Sequence, residues 1–274
     1  MTGVRRLMRI DVGGWLLVGV WLWFLPLVFL WVWTGSQTRL GWSRATWEVG
    51  AVLALLILAR VLGLALYHRW VAGRWPLTLV FQDGGLKYVP TPQNLPFLLA
   101  VTIPLGLGLG VLANLFGWST VIPERWLLMP TLGPVVAGLF SLGSVVIYNR
   151  VAGPWLGSIQ MTVEERHGWV RAVVFSSSQV RRTAHLVGFI WVVLVTLVLA
   201  GLGGTLLTVL AGHIPAGTFG VEAGLFSVAI VLFVGFWASG ALSLWYGIGA
   251  RVYRSWVSQG GGIFWQEAEV HEAS

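Results

Sequence analysis

One charged side chain interrupts the long apolar runs of this sequence. Arg60, in "LLILARVLG", has no acidic residue in any other apolar run to neutralise it. An ionisable group in an apolar segment is costly, and is the first place to look for function. Its chemistry would be that of a fixed cation holding a lipid phosphate, or a carboxylate of another subunit. Arg60 also lies about two helical turns before Tyr67, close enough for a long side chain to snorkel to an interface. The sequence predicts the snorkelling arrangement, with polar company at the interface and no midplane site.

Other polar groups offer less. Asn114, late in "GLGLGVLANLFG", suits a helix–helix hydrogen bond more than a ligand site. Gly106, Gly108 and Gly110 spell Gly-x-Gly, but no strand precedes them, so a dinucleotide fingerprint is not indicated. Gly106 and Gly110 instead form a small-xxx-small face for close helix packing. None of the five histidines (His68, His167, His185, His213 and His271) lies deep in an apolar run, which argues against paired haem ligands. The carboxylates fall in caps, turns and tails, and the common hydrolase and nucleotide motifs are missing. The chain has no Cys, which excludes disulfides, thiolate metal sites and iron–sulfur clusters. The expectation is a protein that is not an enzyme and uses no metal or cofactor.

Composition sets the frame for these residues. Of 274 residues, 57% are hydrophobic and 10% charged, with a mean hydropathy of +0.81. Soluble domains carry about a quarter charged residues, so the predicted fold class is an α-helical polytopic membrane protein. Six spans fit, at 13–33, 49–67, 96–117, 128–148, 186–211 and 224–250. The first follows "VRRLMRI", yet it is too long for a signal peptide and "WVWTGSQTR" offers no cleavage site, so it reads as a retained anchor.

Charge gives the orientation. Arg5, Arg6, Arg9, Arg69, Arg74, Lys87, Arg150, Arg166, Arg171, Arg181, Arg182, Arg251 and Arg254 share the side of both termini, against Arg39, Arg44 and Arg125 opposite. That bias predicts a multi-pass protein of the cytoplasmic (inner) membrane with both termini in the cytoplasm. The net charge of +7 then reflects headgroup-side orientation signals, and no nucleic-acid partner is expected. Trp15, Trp70, Trp75 and Trp155 would mark the inner interface, and Trp33, Trp47, Trp118 and Trp126 the outer one. Arg60, Arg69, Arg74, Arg150, Arg251 and Asn114 are the candidate contacts to lipids or partner subunits.

The segments that leave the second, fourth and sixth spans resemble one another. They read "YHRWVAGRWPLTLVFQD", "YNRVAGPWLGSIQMTVEE" and "YRSWVSQGGGIFWQEAEV". Tyr67, Tyr148 and Tyr253 hold equivalent places, followed by Leu77, Ile159 and Ile263. Each segment then alternates: Leu77, Leu79, Phe81; Ile159, Met161, Val163; Ile263, Trp265 and an apolar end at Val270. A two-residue period indicates a strand with one face buried. "VRRLMRI", "LKYVPTP" and "WVRAVVFSS" precede the odd spans, and Asp83-Gly84-Gly85 and Gly168 mark hairpin turns between units. Three pseudo-repeats of a helix pair follow, at 1–83, 84–165 and 168–270, with a tail at 271–274. One strand pair cannot bury its face alone, so the strands are predicted to pool into a small cytoplasmic β-sheet or barrel.

Tyr148, Asn149, Ala152, Gly157 and Ile159, with "GGI" at 261–263, resemble the "YN…A…GGI" signature of a family of uncharacterised prokaryotic two-span membrane proteins. The first unit departs, with His68 for Asn and Pro76-Leu77 for Gly-Ile. The resemblance implies architecture and no chemistry. Two functional readings emerge. One is a non-catalytic scaffold or anchor subunit docking other membrane or cytoplasmic proteins and lipids; the other is a channel or transporter along the pseudo-threefold axis. Reporter fusions at residues 40, 122 and 214 should report the outer side, and those at 84 and 167 the inner side. A cytoplasmic report at 122 would break this topology.

Overall fold

The computed structural model describes residues 3–37, 41–115, 125–210 and 221–268. Six long helices alternate in pairs with six short strands. Strand β1 (Gly3–Ile10) leads into α1 (Val12–Gln37) and α2 (Gly41–Leu66), and the chain returns as β2 (Leu77–Gln82). Strand β3 (Gly85–Tyr88) precedes α3 (Thr91–Leu115) and α4 (Arg125–Ile147); after a single-turn α5 (Gly153–Leu156) comes β4 (Ile159–Arg166). Strand β5 (Trp169–Phe175), α6 (Ser177–Leu210), α7 (Val221–Ser258) and β6 (Phe264–Glu267) complete the order. All six of α1–α4, α6 and α7 are long and apolar enough to cross a membrane. Their apolar surface is turned outward: in α6 only 6% of the apolar window is buried within the protein.

The strands close into one antiparallel barrel in chain order, with β1 completing the ring against β6. Two of the connections are two-residue hairpin turns. Asp83 and Gly84 have φ of 52° and 76°, and His167 and Gly168 have 50° and 76°. Positive φ at both central positions is what a tight turn needs if it is to follow the right-handed strand twist. The β6–β1 pair is the third equivalent connection, without a covalent turn.

Each odd strand carries one extra residue against its neighbour. The register slips at Met8 (Leu7↔Glu267, then Arg9↔Gln266), at Lys87 (Phe81↔Leu86, then Val80↔Tyr88) and at Val173 (Val163↔Ala172, then Thr162↔Val174). A bulge bends and twists its strand, and three of them allow six short strands to curl into a ring. Leu7, Ile10, Val170, Ala172 and Trp265 fill the barrel core, joined by Tyr67, Tyr253 and Phe97 from the helices. Leu77, Leu79, Met161, Val163 and Ile263 pack against that core and Phe81 is 6% exposed, as the alternation predicts. Gln160 and Thr162 are exposed. The Glu164 side chain is 42% exposed, and Arg171 donates to its Oε2 at 2.5 Å across the β4–β5 hairpin. The expected apolar end at Val270 lies outside the described residues.

The helices pack chiefly within their pairs, α1 on α2, α3 on α4 and α6 on α7, while α2 also packs on α3. The predicted small-residue face at Gly106 is a close crossing. A Cβ there would sit 2.3 Å from the Pro134 nitrogen, and one on Gly133 would sit 2.1 Å from the Gly106 oxygen. By contrast α7 barely touches α1.

The two-residue period sets a direct test. Met161→Asp should lower the melting temperature or abolish accumulation, because it places a charge against the barrel core. Thr162→Asp, one residue on and exposed, should leave both unchanged. Equal tolerance would mean that this strand has no buried face.

Candidate functional site

The barrel end nearest the helices is where the signature residues meet. Tyr67, one residue past the end of α2, is fully buried. Its hydroxyl donates to the Leu7 carbonyl and accepts the Leu77 amide at 2.9 Å. Tyr148, after α4, donates to the Leu86 carbonyl and accepts from the Ile159 amide at 3.4 Å. Tyr253, within α7, donates to the Ala172 carbonyl at 2.7 Å and accepts from the Ile263 amide at 2.9 Å. Each hydroxyl thus sits between two strands of one unit, at the point where they leave the helices. Leu7 faces Leu77 and Leu86 faces Ile159 in register, and the Ala172 amide reaches the Ile263 carbonyl at 3.2 Å. The bulge residues Met8, Lys87 and Val173 immediately follow the three acceptor carbonyls. Each bulge lies on the opposite edge of its strand, against β6, β2 and β4 respectively, so the tyrosine-bridged pairs β1–β2, β3–β4 and β5–β6 keep an unbroken register.

Two of these tyrosines stand at π-helical turns, Tyr67–Val71 and Tyr148–Ala152. The Ala72 amide reaches the Tyr67 carbonyl at 2.8 Å. Such widened turns re-aim side chains and recur at functional positions.

The next residue in the signature adds a second tie. The Asn149 amide donates to the Val89 carbonyl at 2.6 Å and accepts its N–H at 3.0 Å. In the first segment His68 stands where Asn149 stands in the second, and His68 Nε2 accepts the Ile10 amide at 3.0 Å. Ile10 stands three residues after Leu7, as Val89 stands three after Leu86. The substitution therefore keeps the acceptor and gives up the donor.

Asn94 is a structural tie that the sequence alone did not single out. It is 1% exposed in the first turns of α3, and its side chain pairs with both Thr78 N–H and C=O at 2.7 Å. Analogous ties run from each unit to the next. Gln179 Oε1 accepts the Gln160 amide at 2.7 Å, the Ser176 amide reaches the Gln160 carbonyl at 3.1 Å, and the Asp11 amide reaches the Phe264 carbonyl at 2.8 Å. The available signal was an Asn standing between prolines in "TPQNLPF".

Arg60 corrects an expectation. It makes no hydrogen bond or ion pair among the described residues, is 9% exposed, and has a buried Nε with no partner. Its guanidinium lies 4.4 Å from the Trp15 ring centroid in a cation–π contact. Gly19 of α1 forms the notch that admits it, since a Cβ there would fall 2.1 Å from Arg60 Nε. The physical reason is directional. The Cα–Cβ bonds of a helix lean toward its N-terminus, which for α2 is the end away from the barrel, so the side chain starts out in the wrong direction for the interface. Trp15 is corrected with it: its ring packs on Arg60 and edge-on to Phe97 at 6.1 Å, and its buried Nε1 has no partner.

Arg69, Arg74, Arg150 and Arg251 are exposed near the barrel ends of their helices, close in sequence to the exposed Trp70, Trp75 and Trp155. Two other arginines assigned to the headgroups are taken by the barrel. Arg5 pairs with Glu267 at 2.7 Å at the end far from the helices, and Arg171 with Glu164. The side chain of Asn114 lies outside the described residues. Among the described residues no group of three or more His, Asp or Glu could hold a metal ion.

A cavity of about 470 Å³ opens beneath the barrel between α1 and α7. Its walls are Leu17, Val18, Trp21 and Phe24 on one side and Tyr246, Ala250, Val252 and Trp256 on the other, under Leu86, Met161 and Phe175 of the barrel. Comparison with protein families, curated proteins and solved structures returns no match.

Two tests follow from this geometry. Tyr67→Phe should destabilise by about 1–3 kcal/mol, because two buried backbone groups lose their partner. Tyr148→Phe, with its longer second bond, should cost less in the same thermal melts. Arg60→Met should be tolerated, since it removes a buried charge that has no partner to leave behind. Loss of accumulated protein would reveal an anionic partner supplied from outside the chain.

Proposed function

We propose that this protein is a non-catalytic integral-membrane scaffold, built of three repeated helix-pair units whose ends are fixed by a cytoplasmic barrel. One observation carries the reading: every helix pair contributes two strands to one closed ring, with a tyrosine hydroxyl between them. Such a ring sets the spacing of three helix pairs without tight packing among all of them. The clefts between pairs, and the exposed apolar helix faces, are surfaces for lipids and for spans of other subunits. The barrel wall and the exposed arginines around it are surfaces for cytoplasmic partners and anionic headgroups. In this orientation both termini are cytoplasmic, as the Arg distribution requires.

The channel reading finds less support. A path along the pseudo-axis would meet the barrel, whose interior is filled by Leu7, Val170 and Trp265. Pores select and gate through rings of carbonyls or charges, or through hydrophobic constrictions that dewet.

Purification in mild detergent followed by mass spectrometry tests the proposal. A stoichiometric membrane or cytoplasmic protein should elute with the intact chain, and charge reversal at Arg69, Arg74 and Arg150 together should reduce its recovery at least several-fold. A chain that elutes alone under every mild condition and conducts ions in liposomes would replace the scaffold by the channel.

A further inference from the structure

We infer that the cavity between α1 and α7, roofed by Leu86 and Met161 of the second unit, holds the hydrocarbon tail of a membrane lipid. The inference rests on the reading of the six helices as membrane spans, and it adds a defined occupant at a defined place. Chemistry narrows the choice. The lining is aliphatic and aromatic, and an apolar cavity of this kind does not retain water, which needs polar partners.

The shape suits a chain. The lining on α1 runs from Leu17 to Phe24, about 10 Å along the helix axis. Leu17, Phe24, Tyr246 and Val252 line the cavity and remain 38–50% exposed, which marks a lateral mouth between α1 and α7. Beside it, Trp21 and Trp245 stack with ring centroids 4.4 Å apart and an interplanar angle of 6°, bridging the two helices. Gly249 leaves room for this stack, because a Cβ there would fall 2.2 Å from Trp21 Nε1. The contact between α1 and α7 is otherwise sparse. A bilayer tail reaching this mouth replaces a void with dispersion contacts on both walls.

Phosphatidylcholine carrying a diazirine in its tail, in nanodiscs with the full chain, tests this directly. Photolysis and peptide mapping should place adducts on Val18, Trp21 or Val252 as well as on outward residues such as Leu139 and Leu58. Ala250→Phe, which fills the cavity, should reduce the lining adducts about tenfold and leave the outward ones unchanged; Val18→Phe serves if that variant does not accumulate. Adducts on outward residues alone, or lining adducts insensitive to both substitutions, overturn the inference. Adducts on none of the six helices overturn the membrane reading as well.

Discussion

A phenolic hydroxyl placed between two backbone strands is the interaction on which the rest of this structure depends. Where a helix pair hands its chain to the barrel, two strands must start side by side at the last rung of their ladder, while one of them bulges against its other neighbour. An amide and a carbonyl are left there, buried against the helix ends, and leaving such groups unpaired is costly. The Tyr67, Tyr148 and Tyr253 hydroxyls each satisfy one donor and one acceptor at that point. A hydroxyl can do both at once because it is both donor and acceptor. The aromatic ring meanwhile fills space between helix and barrel, as the edge-on contacts of Tyr67 with Phe97 at 4.9 Å and of Tyr253 with Phe175 at 5.2 Å illustrate.

The remaining architecture follows from this junction. Six short strands make a barrel too small to be stable as separate hairpins, but in a closed ring each strand is paired on both edges. Unequal helix packing is then tolerable. The α2–α3 interface is well filled, whereas α1 and α7 leave an apolar cavity between them. Arg60 is an instance of the same economy, in which a buried guanidinium is accommodated by a glycine notch and an indole face, without a counter-charge among the described residues. These features fix the helix ends and leave the helix sides open.

Much of this was legible in the sequence. The six apolar runs, the three Tyr-to-strand segments and the period-two alternation at Leu77, Ile159 and Ile263 lead to helix pairs feeding a small sheet. Asp83-Gly84 and Gly168 located the turns through their demand for positive φ. What could not be read there depends on contacts between distant segments. Ring closure joins residue 9 to residue 266, and no local pattern announces it. The bulges at Met8, Lys87 and Val173 leave no side-chain signature, since any residue can occupy them. The burial of Arg60 depended on Gly19 in another helix, and the role of His68 became visible only when Ile10 was seen beside it.

The closure of β1 on β6 is the claim that the account can least do without. The chain has no native Cys, so a pair introduced by Arg9→Cys and Gln266→Cys, at facing positions in the register, reports on it alone. Facing residues of an antiparallel pair have Cα atoms about 4.5–5.5 Å apart, within disulfide range. Mild oxidation in native membranes should link residues 9 and 266 efficiently, and should fail for Gly3→Cys with Gln266→Cys, which are displaced along the strand. An absent cross-link in the first pair, or equal cross-linking in both, would show that the first and last strands are not held side by side and that the three helix pairs do not share a closed barrel.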